Sequence, residues 1–300
     1  MSHDCIIIGG GIAGLQAAIQ MGRYQDSVVV IDAENGRSNL CRCYHNVIGW
    51  PDGISGQQLR NIGKRQAEQL GVQFVKDKAT KVIKKPADDG FSVETASQQF
   101  QGKALLIATG VMDRLPAFDS LLPCLGISAY ICPDCDGYEV LDKKVIVIGS
   151  GKAGAGMALA LTNWTNQIIF INHEREPIPA NLQEKLHKKQ IVCINKEIEK
   201  IETSGEQFKG VYLTDGEMLR ANHAFIAMGG NEVRSRLAEQ LGVELYKNKH
   251  ILVDPRTKMT NIENVFAAGD IVAHSEQVTI AMGDGMQAAI WIHKKIKQQH

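Results

Sequence analysis

The chain has 300 residues, 44% of them hydrophobic, enough for one large or two ordinary domains with filled cores. Lysine plus arginine equals aspartate plus glutamate at 33 each, so no long-range field favours a nucleic acid or an anionic membrane as partner. The start, Met1-Ser2-His3-Asp4, carries no basic stretch, and the apolar run Cys5–Ile8 is too short for a signal sequence or a membrane span, which makes a cytoplasmic protein the expectation.

In chain order, Asp4–Ile8 reads as an apolar strand, Gly9-Gly10-Gly11-Ile12-Ala13-Gly14 as a tight turn, and the alanine-rich stretch to about Met21 as a helix. A second strand, Ser27–Ile31, ends at Asp32. In this grammar Gly9 makes the turn, Gly11 lets backbone approach a pyrophosphate, Gly14 packs helix on strand, and Asp32 holds a ribose hydroxyl pair. Cys41-Arg42-Cys43 follows; two cysteines serving as small hydrophobes in a loop are favoured over a second redox pair, because so short a ring is strained. Residues 86–90 and 203–206 are polar and read as hairpin tips. Leu105–Gly110 is a buried strand ending in a turn, and Phe225–Gly230 echoes it.

Cys132-Pro133-Asp134-Cys135-Asp136-Gly137 places two thiols at the spacing of a small reversible disulfide. Zinc would want a second Cys or His pair at similar spacing, and Cys5, Cys41, Cys43, Cys124 and Cys193 supply only the Cys41/Cys43 pair, so redox chemistry is favoured and no metal is expected. An odd total of seven cysteines fits a reducing compartment in which one pair cycles. Asp134 beside the thiols should raise their pKa. Then the first grammar returns: strand Lys144–Ile148, loop Gly149-Ser150-Gly151-Lys152-Ala153-Gly154, helix to about Leu161, strand Gln167–Ile171. Asn264–Asp270 is a strand entering a Gly-Asp turn, and a terminal helix runs from Gln277 to about Ile296, with Trp291–Lys297 as its solvated end. Two copies whose first glycines, Gly9 and Gly149, stand nearly half the chain apart imply an α/β fold of two nested Rossmann-like, three-layer dinucleotide-binding domains. The boundaries expected from the strand echoes are 1–115 with 245–300 for the first domain and 116–244 for the second.

Gly9–Gly14, Asn46–Gly56, Cys132–Gly137, Gly149–Gly154 and Ala267–Asp270 occur in the order seen in low-molecular-weight thioredoxin reductases, which the chain resembles over nearly its whole length. The resemblance implies that the first fold and the tail hold FAD through Gly9, Gly11, Gly14, Asp32, Asn46, Asp270 and Gln277, with Asp32 on the adenosine ribose and Asp270 on the ribityl chain. It implies that Cys135 faces the flavin, that Cys132 attacks the substrate disulfide, and that Asp136 shuttles the proton. It further implies a pyridine nucleotide at Gly149, Gly151 and Gly154, thioredoxin or a similar small disulfide as substrate, and a homodimer. The chain departs from the family where NADPH-using relatives carry His-Arg-Arg. The spacing that leads from Gly14 to Asp32 leads from Gly154 to Asn172, which puts His173 and Glu174 at the two arginine positions. Glutamate repels a 2′-phosphate, so NADPH is doubtful, NADH is also possible, and Lys152 and Arg175 are the available compensations. Ferredoxin as donor, or a dithiol oxidase running in the opposite direction, are the alternatives. In the tail Glu276-Gln277 replaces the family's Arg-Gln, which removes a cation and is expected to lower the flavin potential.

Overall fold

The computed structural model describes residues 2–85 and 90–298. The chain divides into two compact units, Met1–Asn39 with Gly56–Met112 and Glu232–His300, and Leu40–Ser55 with Asp113–Asn231.

In the first unit, seven strands form one sheet among the described residues. Its order is Gln73–Lys76, Val28–Asp32, Ser2–Ile8, Gln99–Ile107, Phe91–Thr95, Ala79–Lys84, and Val265–Ala267 also pairs with Gln99–Ile107. The central strand is parallel to both neighbours, with Ile7 opposite Val30 and Leu106. A strand covered on both faces needs a continuous apolar run rather than alternation, which is what Cys5–Ile8 supplies. Cys5, Ile7, Val30 and Leu106 pack on one side with Ala17 and Met21 of the helix Ile12–Arg23 and Ala288 and Ile292 of the helix Val278–Gln298. Ile6, Ile8, Val29 and Leu105 fill the other side with Phe91, Leu237 and Val243. The two helices approach closely because a Cβ on Gly285 would meet the Ala13 carbonyl oxygen. Of the hairpin tip expected at 86–90, residues 86–89 lie outside the described residues; Gly90 closes the described end, its carbonyl accepting from Lys85 N at 2.9 Å.

The second unit repeats the order with a smaller parallel sheet: Val192–Ile194, Ile168–Asn172, Val145–Gly149, His223–Ala227, Ala129–Tyr130. The helix Gly151–Ala160 follows the central strand, and an antiparallel sheet of Ile198–Ser204, Gln207–Leu213 and Met218–Arg220 adds a layer. Its hairpin turns between Ser204 and Gln207, with Gly205 at φ +60°. Residues 40–55 belong here because Arg42 N donates to Leu125 O at 2.9 Å and the Cys41–Cys43 segment presses on Gly126, which sits at φ +80°. The chain re-enters the first unit at Glu232, upstream of the expected 245. Glu232–Val233 pairs with Val111–Met112, and Leu237, Ala238 and Val243 are core of the first sheet.

Candidate active site

Cys132 and Cys135 are joined as a disulfide with Cα atoms 5.3 Å apart. Cys132 is extended (φ −110°, ψ 116°) and caps the single turn Pro133–Asp136, its Sγ accepting from Cys135 N at 3.2 Å. Pro133 takes the first helical position, where a missing N–H costs nothing. Gly137 is required by packing, since a Cβ there would lie 2.6 Å from the Trp164 indole. Asp136 is 9% exposed, and its Oδ1 is 3.4 Å from Nδ1 of His45. Burial pushes the Asp136 carboxyl up, with His45 partly opposing, while the contact with Asp136 raises His45 against the effect of its own burial. A carboxyl held toward its neutral form next to a thiol pair is suited to deliver a proton. His45 had no motif to announce it; adjacency to Asn46 was the only signal.

Cys41 and Cys43 are not joined to each other; the Cys41 thiol donates to the Cys43 carbonyl at 3.2 Å. Burial pushes Cys41 up to about 12 and also raises Cys43. Among the described residues no group of three or more His, Cys, Asp or Glu side chains is placed to hold a metal ion.

In the first glycine loop each glycine meets a different constraint. Gly9 is at φ +108°, and a Cβ on Gly14 would fall 1.9 Å from the Gly9 carbonyl oxygen, whereas a Cβ on Gly11 would find no heavy atom within 4 Å. Asp32 reaches over Gly10 and is paired at 2.7 Å with Arg60, a residue sequence reasoning missed because it stands on a separate helix, Gly56–Glu68. A cavity of about 180 Å³ is lined by Gly10, Asp32, Asn39, Arg60 and Lys64. Arg60 Nε and Asn39 Oδ1 are buried there without a hydrogen-bond partner. An orphaned donor and acceptor beside the Asp32 carboxylate and an open glycine fit the adenosine diphosphate half of FAD.

Asp270 follows Gly269 (φ +80°), and Gln277 immediately precedes the terminal helix, its carbonyl accepting from Ala281 N at 2.9 Å. The arginine is absent from position 276 as the sequence shows, but another cation stands at this end: Arg37 Nη1 pairs with Asp270 at 3.1 Å and also with Glu276. Asp270 and Glu276 thus share one cation, which comes from another element. Asn46, expected with these residues, is exposed in the second unit, while Gly9, Gly11, Gly14, Asp32, Asp270 and Gln277 belong to the first.

In the second loop a Cβ on Gly154 would lie 2.3 Å from the Phe170 ring and 3.0 Å from Gly149 Cα, the same helix-on-strand contact as at Gly14. Asn172 is 2% exposed and spent inside the fold, Oδ1 accepting from Gly151 N and Nδ2 donating to the Glu176 carbonyl and Asn195 Oδ1, each at 2.8 Å. His173 Nδ1 accepts from Ile198 N at 2.9 Å. Glu174 receives both Nη groups of Arg114, at 2.8 and 2.7 Å, and Arg114 also donates to the carbonyls of Gly229 and Met228. Arg175 faces Glu197 at 3.5 Å.

The profile of the pyridine nucleotide-disulphide oxidoreductase family matches residues 3–285. The chain is similar to a thioredoxin reductase of Aquifex aeolicus, 30% identical over 97% of this chain and 93% of that one. A thioredoxin reductase of Rickettsia bellii is 28% identical over 96% of each chain. The crystal structure of the Streptococcus pyogenes thioredoxin reductase superposes with a TM-score of 0.87 at 24% identity, covering 99% of both chains, and so shares the fold.

Proposed function

The chain belongs to the pyridine nucleotide-disulphide oxidoreductase family, as a FAD-dependent disulfide oxidoreductase of the thioredoxin-reductase type, and from that premise we propose how its own residues divide the reaction. FAD, when bound and reduced by an outside two-electron donor, would supply the two electrons that, with two protons, turn the Cys132–Cys135 disulfide into a dithiol. Gly11 would leave room for its pyrophosphate, Asp32 and Arg60 would hold its ribose, and Asp270 with Arg37 would hold the ribityl end.

Once reduced, the Cys132 thiolate attacks one sulfur of a substrate disulfide, forming a mixed disulfide and expelling the other substrate sulfur as a thiolate. Cys135 then attacks Cys132 Sγ, the second substrate sulfur leaves, and the Cys132–Cys135 disulfide is restored. Protonation of the leaving thiolates is assigned to Asp136, whose burial favours the protonated form, with His45 as the group that holds it in place. Thioredoxin or a similar small dithiol protein is the substrate, on the strength of the named relatives. The same resemblance supports a homodimer and a cytoplasmic setting; no described helix is long and apolar enough to cross a membrane.

The observation that carries this reading is the capped Cys132–Cys135 turn with a buried carboxyl directly beside it. The purified protein should be yellow, bleach on anaerobic chemical reduction, and recover colour when oxidised thioredoxin is added. A Cys135→Ser protein that still recovers at the original rate would remove the proposal.

A further inference from the structure

The two glycine loops can be compared atom by atom inside one chain. In the first, the Asp32 carboxyl lies over Gly10 and is held by Arg60 at 2.7 Å. In the second, Ser150 stands where Gly10 stands in the first loop, Ser150 and Glu174 line the same cavity, and Glu174 is held by Arg114 at 2.7 Å. An acid pinned by an arginine therefore recurs over the same loop position, although it comes slightly later in the chain because Asn172 has turned inward to take Gly151 N.

Two cavities adjoin this pair. One of about 590 Å³ is lined by Arg114, Ser150, Lys152, Glu174 and Glu176; the other, of about 550 Å³, is largely apolar, with Pro133, Met157 and Ile226. They share Arg114, Lys152, Ala153 and Met228. A polar and an apolar compartment joined across a helix start match the two nucleosides and the bridging pyrophosphate of a dinucleotide.

We infer that the second fold reads an adenosine ribose whose 2′-hydroxyl is free, with Glu174 accepting from the ribose hydroxyls and Arg114 positioning Glu174, so that NADH rather than NADPH is the nucleotide it takes. The inference rests on the reading above of this fold as the nucleotide half. A carboxylate oxygen that accepts one Arg114 bond keeps a second lone pair for a hydroxyl. A 2′-phosphate would instead meet that carboxylate directly, and four of the five Arg114 donors are already committed, to Glu174, Gly229 and Met228. Arg175, next in sequence, is directed at Glu197.

The test uses the FAD-loaded protein and two probes without nicotinamide, ADP-ribose and its 2′-phosphate, titrated by calorimetry so that no electron transfer is involved. ADP-ribose should bind at least tenfold more tightly than the phosphorylated probe. Glu174→Arg should reverse that order, Arg114→Ala should shrink the ratio, and Arg114→Lys should restore part of it. Equal or tighter binding of the phosphorylated probe, or no heat from either at millimolar concentration, overturns the inference. Disulfide exchange from chemically reduced flavin is measured separately, so a protein that exchanges disulfides normally but shows no probe preference refutes this inference and leaves the proposed function standing.

Discussion

Replacing Gly11 by alanine should separate cofactor binding from folding. Gly11 has φ −75° and ψ −171°, a conformation open to any residue, and its added methyl would touch nothing in the protein. A glycine-to-alanine change at an unstrained site stabilises by about 0.4–1 kcal/mol through the unfolded chain, so the cofactor-free variant should melt no lower than the parent. In the proposed reading the same methyl would stand where the FAD pyrophosphate approaches the backbone. Forcing a methyl into an occupied space costs about 1–3 kcal/mol. At about 1.4 kcal/mol per factor of ten, the FAD Kd should rise roughly 5- to 150-fold. Gly14→Ala is the opposite case: its Cβ would lie 1.9 Å from Gly9 O and 3.3 Å from Ile7 Cγ2, which forces the helix Ile12–Arg23 off its strand and destabilises the cofactor-free protein. Thermal unfolding of both stripped variants, followed by fluorescence titration with FAD, gives the two quantities. The reasoning is refuted if Gly11→Ala binds FAD as the parent does, or if it melts as low as Gly14→Ala.

Asp136→Asn should slow disulfide exchange by about 10²–10⁴-fold, the usual worth of a positioned general acid, and flatten the limb of the rate–pH profile that reports its ionisation; an unchanged profile would exclude the role. His45 is raised chiefly by Asp136, so the folded state favours its cation: the stabilisation is complete below pH 6.5, the ordinary value, and is lost as pH rises through the raised one. The denaturant midpoint of the parent should therefore exceed that of His45→Asn in mildly acidic buffer and converge with it in alkaline buffer. Asp284 is buried, which alone would push it up, yet His274 and Lys258, the latter at 2.7 Å, hold it below the ordinary carboxylate range. Asp284→Asn leaves the largely buried Lys258 uncompensated and should cost about 3–5 kcal/mol, read from Trp291 fluorescence on the same helix during urea unfolding. In the parent, the contribution of Asp284 is present above pH 3.8 and fades as pH falls through the lowered value.

Both glycine loops, their strands and the terminal helix were legible because each obeys a local rule: an apolar run of strand length, glycines at fixed spacing, an acid a set distance on. The Cys132–Cys135 pair was legible for the same reason. Arg60, Arg114 and Arg37 were not, since each reaches its acid from a different element, 28, 60 and 233 residues away in sequence from Asp32, Glu174 and Asp270. Carrying the Gly14-to-Asp32 spacing over to Gly154 found Asn172, the residue at the end of the strand, but not the inward turn of its amide that hands the loop position to Glu174. The first unit resumes at Glu232 rather than 245, through a pairing with Val111–Met112 too short to leave a pattern in the sequence.

Residues 40–55 are reached by leaving the first unit at Asn39 and rejoining it at Gly56, yet they pack with 113–231. Trading the second unit between relatives thus demands two grafts rather than one. A recombinant swapped only at 112/113 and 231/232 would keep a foreign strap against Gly126, where Cys41 and Cys43 already press within about 3 Å of any added carbon. Shuffling during evolution faces the same coupling, so the strap and the Cys132–Cys135 module should be inherited together.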